Sequence, residues 1–338
     1  MRYRTTVAGS LPKPAWLAET EKLWPAWRLT GDALAQGMLD ATILAVAEQT
    51  HAGIACCSDG EQARGHFVHG FLEGLAGIDA TKKVRRGIRN DRYEADCPSI
   101  VGPVRRIRPV HLAEARVARA FAPNALKFTL PGPMTIVDTL FDDYYRDRKA
   151  AAFAFAAALN AEMRELVDAG VDTLQLDEPA FNVFFDEVEA WGIEALDVAF
   201  DGIAARKAVH VCYGYGIEAN VAWKRELGEE WDQYAHVFPL LSRSSADEVS
   251  IELAGSRVPP HVLAGLRGKD VAVGVIDVAS DAVETPAEVA ATIERAAAFV
   301  PRERLIASTN CGMAPMARGI AYAKLAALGR GAQLAGLG

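Results

Sequence analysis

The chain has 338 residues, 51% of them hydrophobic, enough to bury a large core in one big α/β domain or two ordinary ones. A formal net charge of −8 argues against a broad nucleic-acid surface, and no run of about 18 apolar residues is present to span a membrane. Residues 1–6 lack the apolar stretch of a signal peptide, and the five cysteines (Cys56, Cys57, Cys97, Cys212, Cys311) are odd in number and widely spaced, so a cytoplasmic protein with reduced thiols is expected.

Strand and helix signals alternate along the chain, and eight strand candidates predict a single (β/α)8 TIM barrel covering 1–338. Tyr3 to Ala8 is the first strand, ending in Gly9-Ser10-Leu11-Pro12. The amphipathic run Asp32 to His51 follows as a helix stopped by Gly53. Trp16, Trp24 and Trp27 are expected to pack against the barrel. The second strand, Ile54 to Ser58, meets Asp59-Gly60-Glu61-Gln62, and His66 and His69 are read as surface residues of a helix. Residues 77–109 break the alternation. They carry nine Lys or Arg residues (82, 83, 85, 86, 89, 92, 105, 106 and 108), which predicts a basic extended or hairpin insertion that is solvated or a landing site for an acidic partner.

The third strand, Lys127 to Leu130, runs into Pro131-Gly132-Pro133, and the fourth, Thr173 to Leu176, into Asp177-Glu178-Pro179; the helix between them spans Arg148 to Ala169. Ala208 to Cys212 forms the fifth strand, Glu248 to Leu253 the sixth, Val271 to Val275 the seventh and Leu305 to Ser308 the eighth. A last helix covers Ala317 to Leu328, and the glycine-rich tail 329–338 is expected to fray. Each unusual polar cluster falls at the C-terminal end of a strand, where barrel enzymes place their chemistry.

His210 and Cys212, two apart on a strand, face the same side, either to fill the sheet interior or to reach one ion. Strands five, six and eight end at the same barrel mouth, so Glu252 and Cys311 complete an N, S, O, S donor set that suits Zn2+ at about 2.0–2.3 Å.

The strings Ala8-Gly9-Ser10-Leu11-Pro12, Ser58-Asp59-Gly60-Glu61, Leu130-Pro131-Gly132-Pro133, Leu176-Asp177-Glu178-Pro179-Ala180, His210-Val211-Cys212 and Asn310-Cys311-Gly312 occur in the order seen in the catalytic half of cobalamin-independent methionine synthase. Nearly the whole chain resembles that family, in its short single-barrel form. The resemblance implies a methyltransferase that makes methionine from L-homocysteine, with His210, Cys212, Glu252 and Cys311 as zinc ligands. It further implies that Ser10 holds the amino acid carboxylate and that Glu61 and Asp177 bind its ammonium.

Two departures concern the methyl donor. Full-length relatives carry a folate-stacking tryptophan in the loop after Pro131-Gly132-Pro133, where this chain has Thr139, and a histidine acid after strand seven, where it has Ala279. Asp138 and Asp277 are the local acids left to replace that histidine. The expected donor is a methyltetrahydrofolate or a methylcobamide whose departing cobalt needs no proton, with a partner protein as one source of the missing parts. Alkyl transfer to another thiol such as coenzyme M, and non-catalytic zinc or homocysteine binding, are the alternatives.

Overall fold

The computed structural model describes residues 3–337. Its strands in chain order are β1 (Arg4–Thr5), β2 (Cys56–Ser58), β3 (Leu75–Ile88), β4 (Tyr93–Arg106), β5 (Ala125–Pro131), β6 (Phe141–Asp142), β7 (Thr173–Asp177), β8 (Arg206–Val211), β9 (Glu248–Glu252), β10 (Asp270–Ile276) and β11 (Leu305–Thr309). Eight of them form one parallel sheet in the order β1-β11-β10-β9-β8-β7-β5-β2. A single residue pair, Thr6 with Cys56, joins its two edges, so the sheet is a nearly closed (β/α)8 barrel. The expected first strand leaves the ladder early, and the residues after Thr6 are free to line the mouth.

The barrel strands read as short apolar runs because helices cover one face and the barrel interior the other. β9 is buried at every position, and β5 at all but its first. The interior is polar at the N-terminal end. There the buried Lys127 ammonium donates to Val7 O at 3.2 Å and Gln175 Oε1 at 2.9 Å, and lies 3.7 Å from Glu248. Helix starts are marked chemically. Asp147 accepts from the backbone N–H groups of Lys149 and Ala150 ahead of the helix Arg148–Asp168, and Thr285 with Glu288 forms a capping box on Pro286–Ala297.

The glycine-rich tail does not fray as expected over its described residues, and Gly338 lies outside them. The last helix is Arg318–Ala335, and its glycines permit close approach: a Cβ on Gly329 would stand 2.0 Å from Ala52 O. The tryptophans also differ from expectation, since Trp16 and Trp24 are exposed, while Trp27 joins a small cluster around Leu17, Ala18 and Ala41 outside the main core.

The basic segment is a hairpin solvated only in part: Lys82, Lys83, Arg85, Arg105 and Arg108 are exposed, whereas Arg89 is buried. β3 and β4 pair antiparallel, and their turn places Arg89, Asn90 and Asp91 in the left-handed region. This turn reaches the barrel mouth, where the buried Arg89 guanidinium pairs with the buried Asp138 carboxylate and Arg86 donates to Leu140 O. Arg106 bridges Glu162 and Glu165 at 2.6 and 2.9 Å, and further out Lys82 pairs with Asp143 and Arg85 with Glu94. A count of charges along a sequence omits carboxylates brought in from fifty residues away. Asp138→Ala, which strands a buried guanidinium, is expected to lower unfolding free energy by about 3–5 kcal/mol. Arg85→Ala, which breaks an exposed pair, is expected to cost about 1 kcal/mol or less in the same denaturation series.

Candidate metal and substrate site

β8 ends at Val211, which leaves His210 and Cys212 at the barrel mouth beside Cys311, just past the end of β11. Their ligand atoms lie within 4.8 Å of one another, and all three residues are buried. The two sulfurs are 3.2 Å apart. His210 engages Ser250 Oγ through Nδ1 at 2.9 Å, and its Nε2 is a buried nitrogen with no hydrogen-bond partner. The Cys311 thiol, hydrogen-bonded to Cys212, holds the Cys212 thiol well below its ordinary pKa, and the same contact with burial holds Cys311 well above. Two soft donors and one unused imidazole nitrogen in a buried place are the makings of a thiophilic cation site.

Glu252 stands apart from these three. Its Oε1 accepts from the buried Lys224 ammonium at 2.6 Å and its Oε2 from Tyr213 N at 3.2 Å. Lys224 lies on the helix Glu218–Glu226, inside the long segment between Cys212 and Glu252, and no pattern in the sequence ties it to the site.

One cavity joins the thiols to the other expected residues: Ser10, Glu61, Asp177, His210, Cys212 and Cys311 all line it. Glu61 sits at φ +55°, and its Oε1 accepts from Thr129 Oγ1 at 2.9 Å. Gly9 is required beside it, since a Cβ there would meet that carboxylate at 2.8 Å. Ser10 Oγ is buried and unpartnered, and Asp177 receives one hydrogen bond, from Gln175 at 2.7 Å. Burial pushes the Asp177 carboxyl up to about 7 against the pull of His210, with Glu61 adding to the rise. The neighbouring Glu178 has a structural task instead, accepting from Met134 N and from Thr135 N and Oγ1 at 2.7–2.9 Å.

His66 and His69 are half-buried rather than surface residues. The rings of Trp24, His66 and His69 stack in a column with centroids 3.8 and 3.9 Å apart, and Trp24 meets Tyr215 edge-on at 6.3 Å. His69 lies against the Thr139 backbone, so rings from the loop after β2 stand beside the segment 133–139 that lacks them. Neither local acid is free. Asp138 is taken by Arg89, and Asp277 Oδ1 accepts from Ala279 N at 2.8 Å.

A family described as "Cobalamin-independent synthase, Catalytic domain" matches residues 3–333. The chain belongs to the cobalamin-independent methionine synthase family. It is a methyltransferase. A methionine synthase of Sulfurisphaera tokodaii is 32% identical over 331 residues, spanning 98% of this chain and 91% of the relative. One from Saccharolobus solfataricus is 31% identical over 333 residues, spanning 98% and 94%. A B12-independent methionine synthase from a Shewanella species, solved in complex with selenomethionine, superposes with a TM-score of 0.97 at 50% identity, covering 99% of this chain and 98% of that one. Among the described residues of this synthase-family barrel, no helix is long and apolar enough to cross a membrane.

Proposed function

We propose that this methyltransferase moves a methyl group onto the sulfur of L-homocysteine, held by a zinc ion on His210, Cys212 and Cys311, to make methionine. The observation that carries the reading is the shared cavity: the thiol pair and the unpartnered His210 Nε2 face Ser10, Glu61 and Asp177 across one space. The donor set of two sulfurs and an imidazole suits zinc, and Glu252, held by Lys224 outside this group, would complete the set only by turning from that ammonium. Zinc, when bound, keeps a substrate thiol deprotonated at neutral pH. The Shewanella relative was solved with selenomethionine, a product analogue, which supports an amino acid thioether in the corresponding cavity here.

The protein's own groups bind and orient. Asp177 and Glu61 offer two carboxylates to one ammonium, and Ser10 Oγ has an unused hydrogen bond for a carboxylate. The homocysteine sulfur forms the new S–C bond as the methyl carbon leaves the donor atom, which keeps the electron pair. A thiol with a sulfonate in place of the amino acid, such as coenzyme M, meets two carboxylates and no cation in this cavity.

Elemental analysis of purified protein is expected to find one zinc per chain, lost in Cys212→Ser and Cys311→Ser variants that keep the fold. Full metal retention in both would contradict the site. Methionine binding is expected to depend on pH through Asp177. Its carboxyl, raised to about 7 by burial, must give up a proton to face the ammonium. Affinity therefore rises as pH increases through 7, being about tenfold weaker at pH 6 than on the alkaline plateau. Methionine has no titrating thiol, so calorimetry isolates this proton, and Asp177→Asn should flatten the profile.

A further inference from the structure

The barrel also opens at the end opposite the thiols. A cavity of about 270 Å3 lies there among the first residues of the strands, lined by Arg4, Lys127, Arg206 and Glu248 and walled on its apolar side by Ala55, Ala125 and Ile306. Layers of side chains fill the interior of such a barrel, so a cavity at its foot bounded by buried charges is a departure from the fold's usual packing. Arg4 and Arg206 are partly exposed and mark the opening. Lys127 and Glu248 are the floor, with side chains only 1% and 4% exposed.

The floor is incompletely satisfied. Glu248 Oε2 accepts from Arg206 Nε at 2.9 Å, but the buried Oε1 has no hydrogen-bond partner among the described residues, since Lys127 Nζ stands off at 3.7 Å. Lys127 gives two of its three N–H donors to Val7 O and Gln175 Oε1, which leaves one beside the cavity. Buried polar groups are almost always paired, and a ligand that fills an open place removes its cost. The opening has an independent feature, an excess of cation. Arg4, Arg206 and Arg304 converge on one carboxylate, Asp270, with Arg4 at 2.6 Å and Arg304 at 3.9 Å. Asp172, also on the lining, is matched by Arg119 at 2.7 Å. Burial pushes the Cys56 thiol up to about 11, so it stays neutral and adds no negative charge to the lining. Across the lining and its ion-pair partners, Arg4, Arg119, Lys127, Arg206 and Arg304 outnumber Asp172, Glu248 and Asp270.

We propose that the foot of the barrel binds a phosphate group, free or as a small monoester, that still carries one proton. Its anionic oxygens accept from Lys127 and from the guanidiniums of Arg4 and Arg206, and its P–O–H donates to Glu248 Oε1. Guanidinium forks and an ammonium suit such an oxyanion. The carboxylate sets the selectivity. An oxyanion with no proton, such as sulfate, brings a lone pair against Glu248 Oε1 and is repelled. The site lies at the other end of the barrel from the thiols and does not depend on the acceptor reading.

The test is calorimetric titration of the zinc-loaded protein, at neutral pH in a buffer free of other oxyanions, with inorganic phosphate, glycerol 3-phosphate and sulfate. Wild-type protein is expected to bind phosphate with a Kd of about 1 mM or below and to bind sulfate about tenfold more weakly or worse. Arg4→Ala, at an exposed position on the opening, is expected to weaken phosphate about fivefold or more, with zinc content and methionine affinity unchanged. Glu248→Gln puts an amide that can donate where the carboxylate stood, and is expected to bring phosphate and sulfate to about equal affinity. Phosphate bound more tightly than its ester identifies the free ion as the occupant and the reverse identifies an ester head group, each supporting a phosphate site. No phosphate binding by wild type at about 10 mM, sulfate bound by wild type as tightly as phosphate, or phosphate affinity unchanged in Arg4→Ala would overturn the proposal. None of these three results needs the buried Glu248 variant to fold.

Discussion

Cys212 and Cys311 bring two sulfur atoms to 3.2 Å in a buried place, although 99 positions separate them in the chain. Two thiols so close share a proton rather than lose both, and only a cation between them allows full ionisation. The surrounding structure serves to hold that pair. Thr309 Oγ1 accepts from Ala8 N and donates to Cys311 O, while Asn182 Nδ2 donates to Cys212 O, so the backbones on both sides are fixed. Ser250 sets the His210 ring. Asn310, next to Cys311, accepts from Leu253 N and Ala254 N and donates to Ala254 O, tying the last strand's exit to that of β9. Barrel closure is the condition for most of these contacts, since all but the Thr309–Cys311 bond join segments from different strands.

What the sequence made legible follows from periodicity and punctuation. Buried parallel strands are short apolar runs, and the polar residues that end them, Asp177-Glu178 after β7 or Asn310-Cys311 after β11, stand out against their own strands. Seven of the eight barrel strands lie within a residue or two of expectation, and Ser10, Glu61, Asp177, His210, Cys212 and Cys311 meet at one cavity. Contacts that depend on tertiary placement were not legible. Lys224 is one lysine on an ordinary amphipathic helix until the fold puts it 2.6 Å from Glu252. Arg89 and Arg92 look like members of a solvated charge run until the turn between β3 and β4 folds over the mouth. The aromatic column fails to register for the same reason, because Trp24 and His66 come from different loops.

The mouth is divided by charge at the thiol pair. Glu61 and Asp177 line the space on one side of the thiol pair, and Arg89 and Arg92 with aromatic rings line the space on the other. That division explains why a chain without an aromatic at Thr139 or a histidine at Ala279 still presents rings and cations around its thiols: they enter from the loops after β1 and β2 and from the β3–β4 turn.

The central claim is that the thiol pair holds a zinc ion that accepts the substrate sulfur. Zinc-edge X-ray absorption on the purified protein, before and after adding L-homocysteine, tests it most directly. The account predicts two sulfurs at about 2.3 Å with nitrogen and oxygen donors in the free protein, and a third sulfur once homocysteine is added. A shell of nitrogen and oxygen alone, or a sulfur count that homocysteine leaves unchanged, would contradict it.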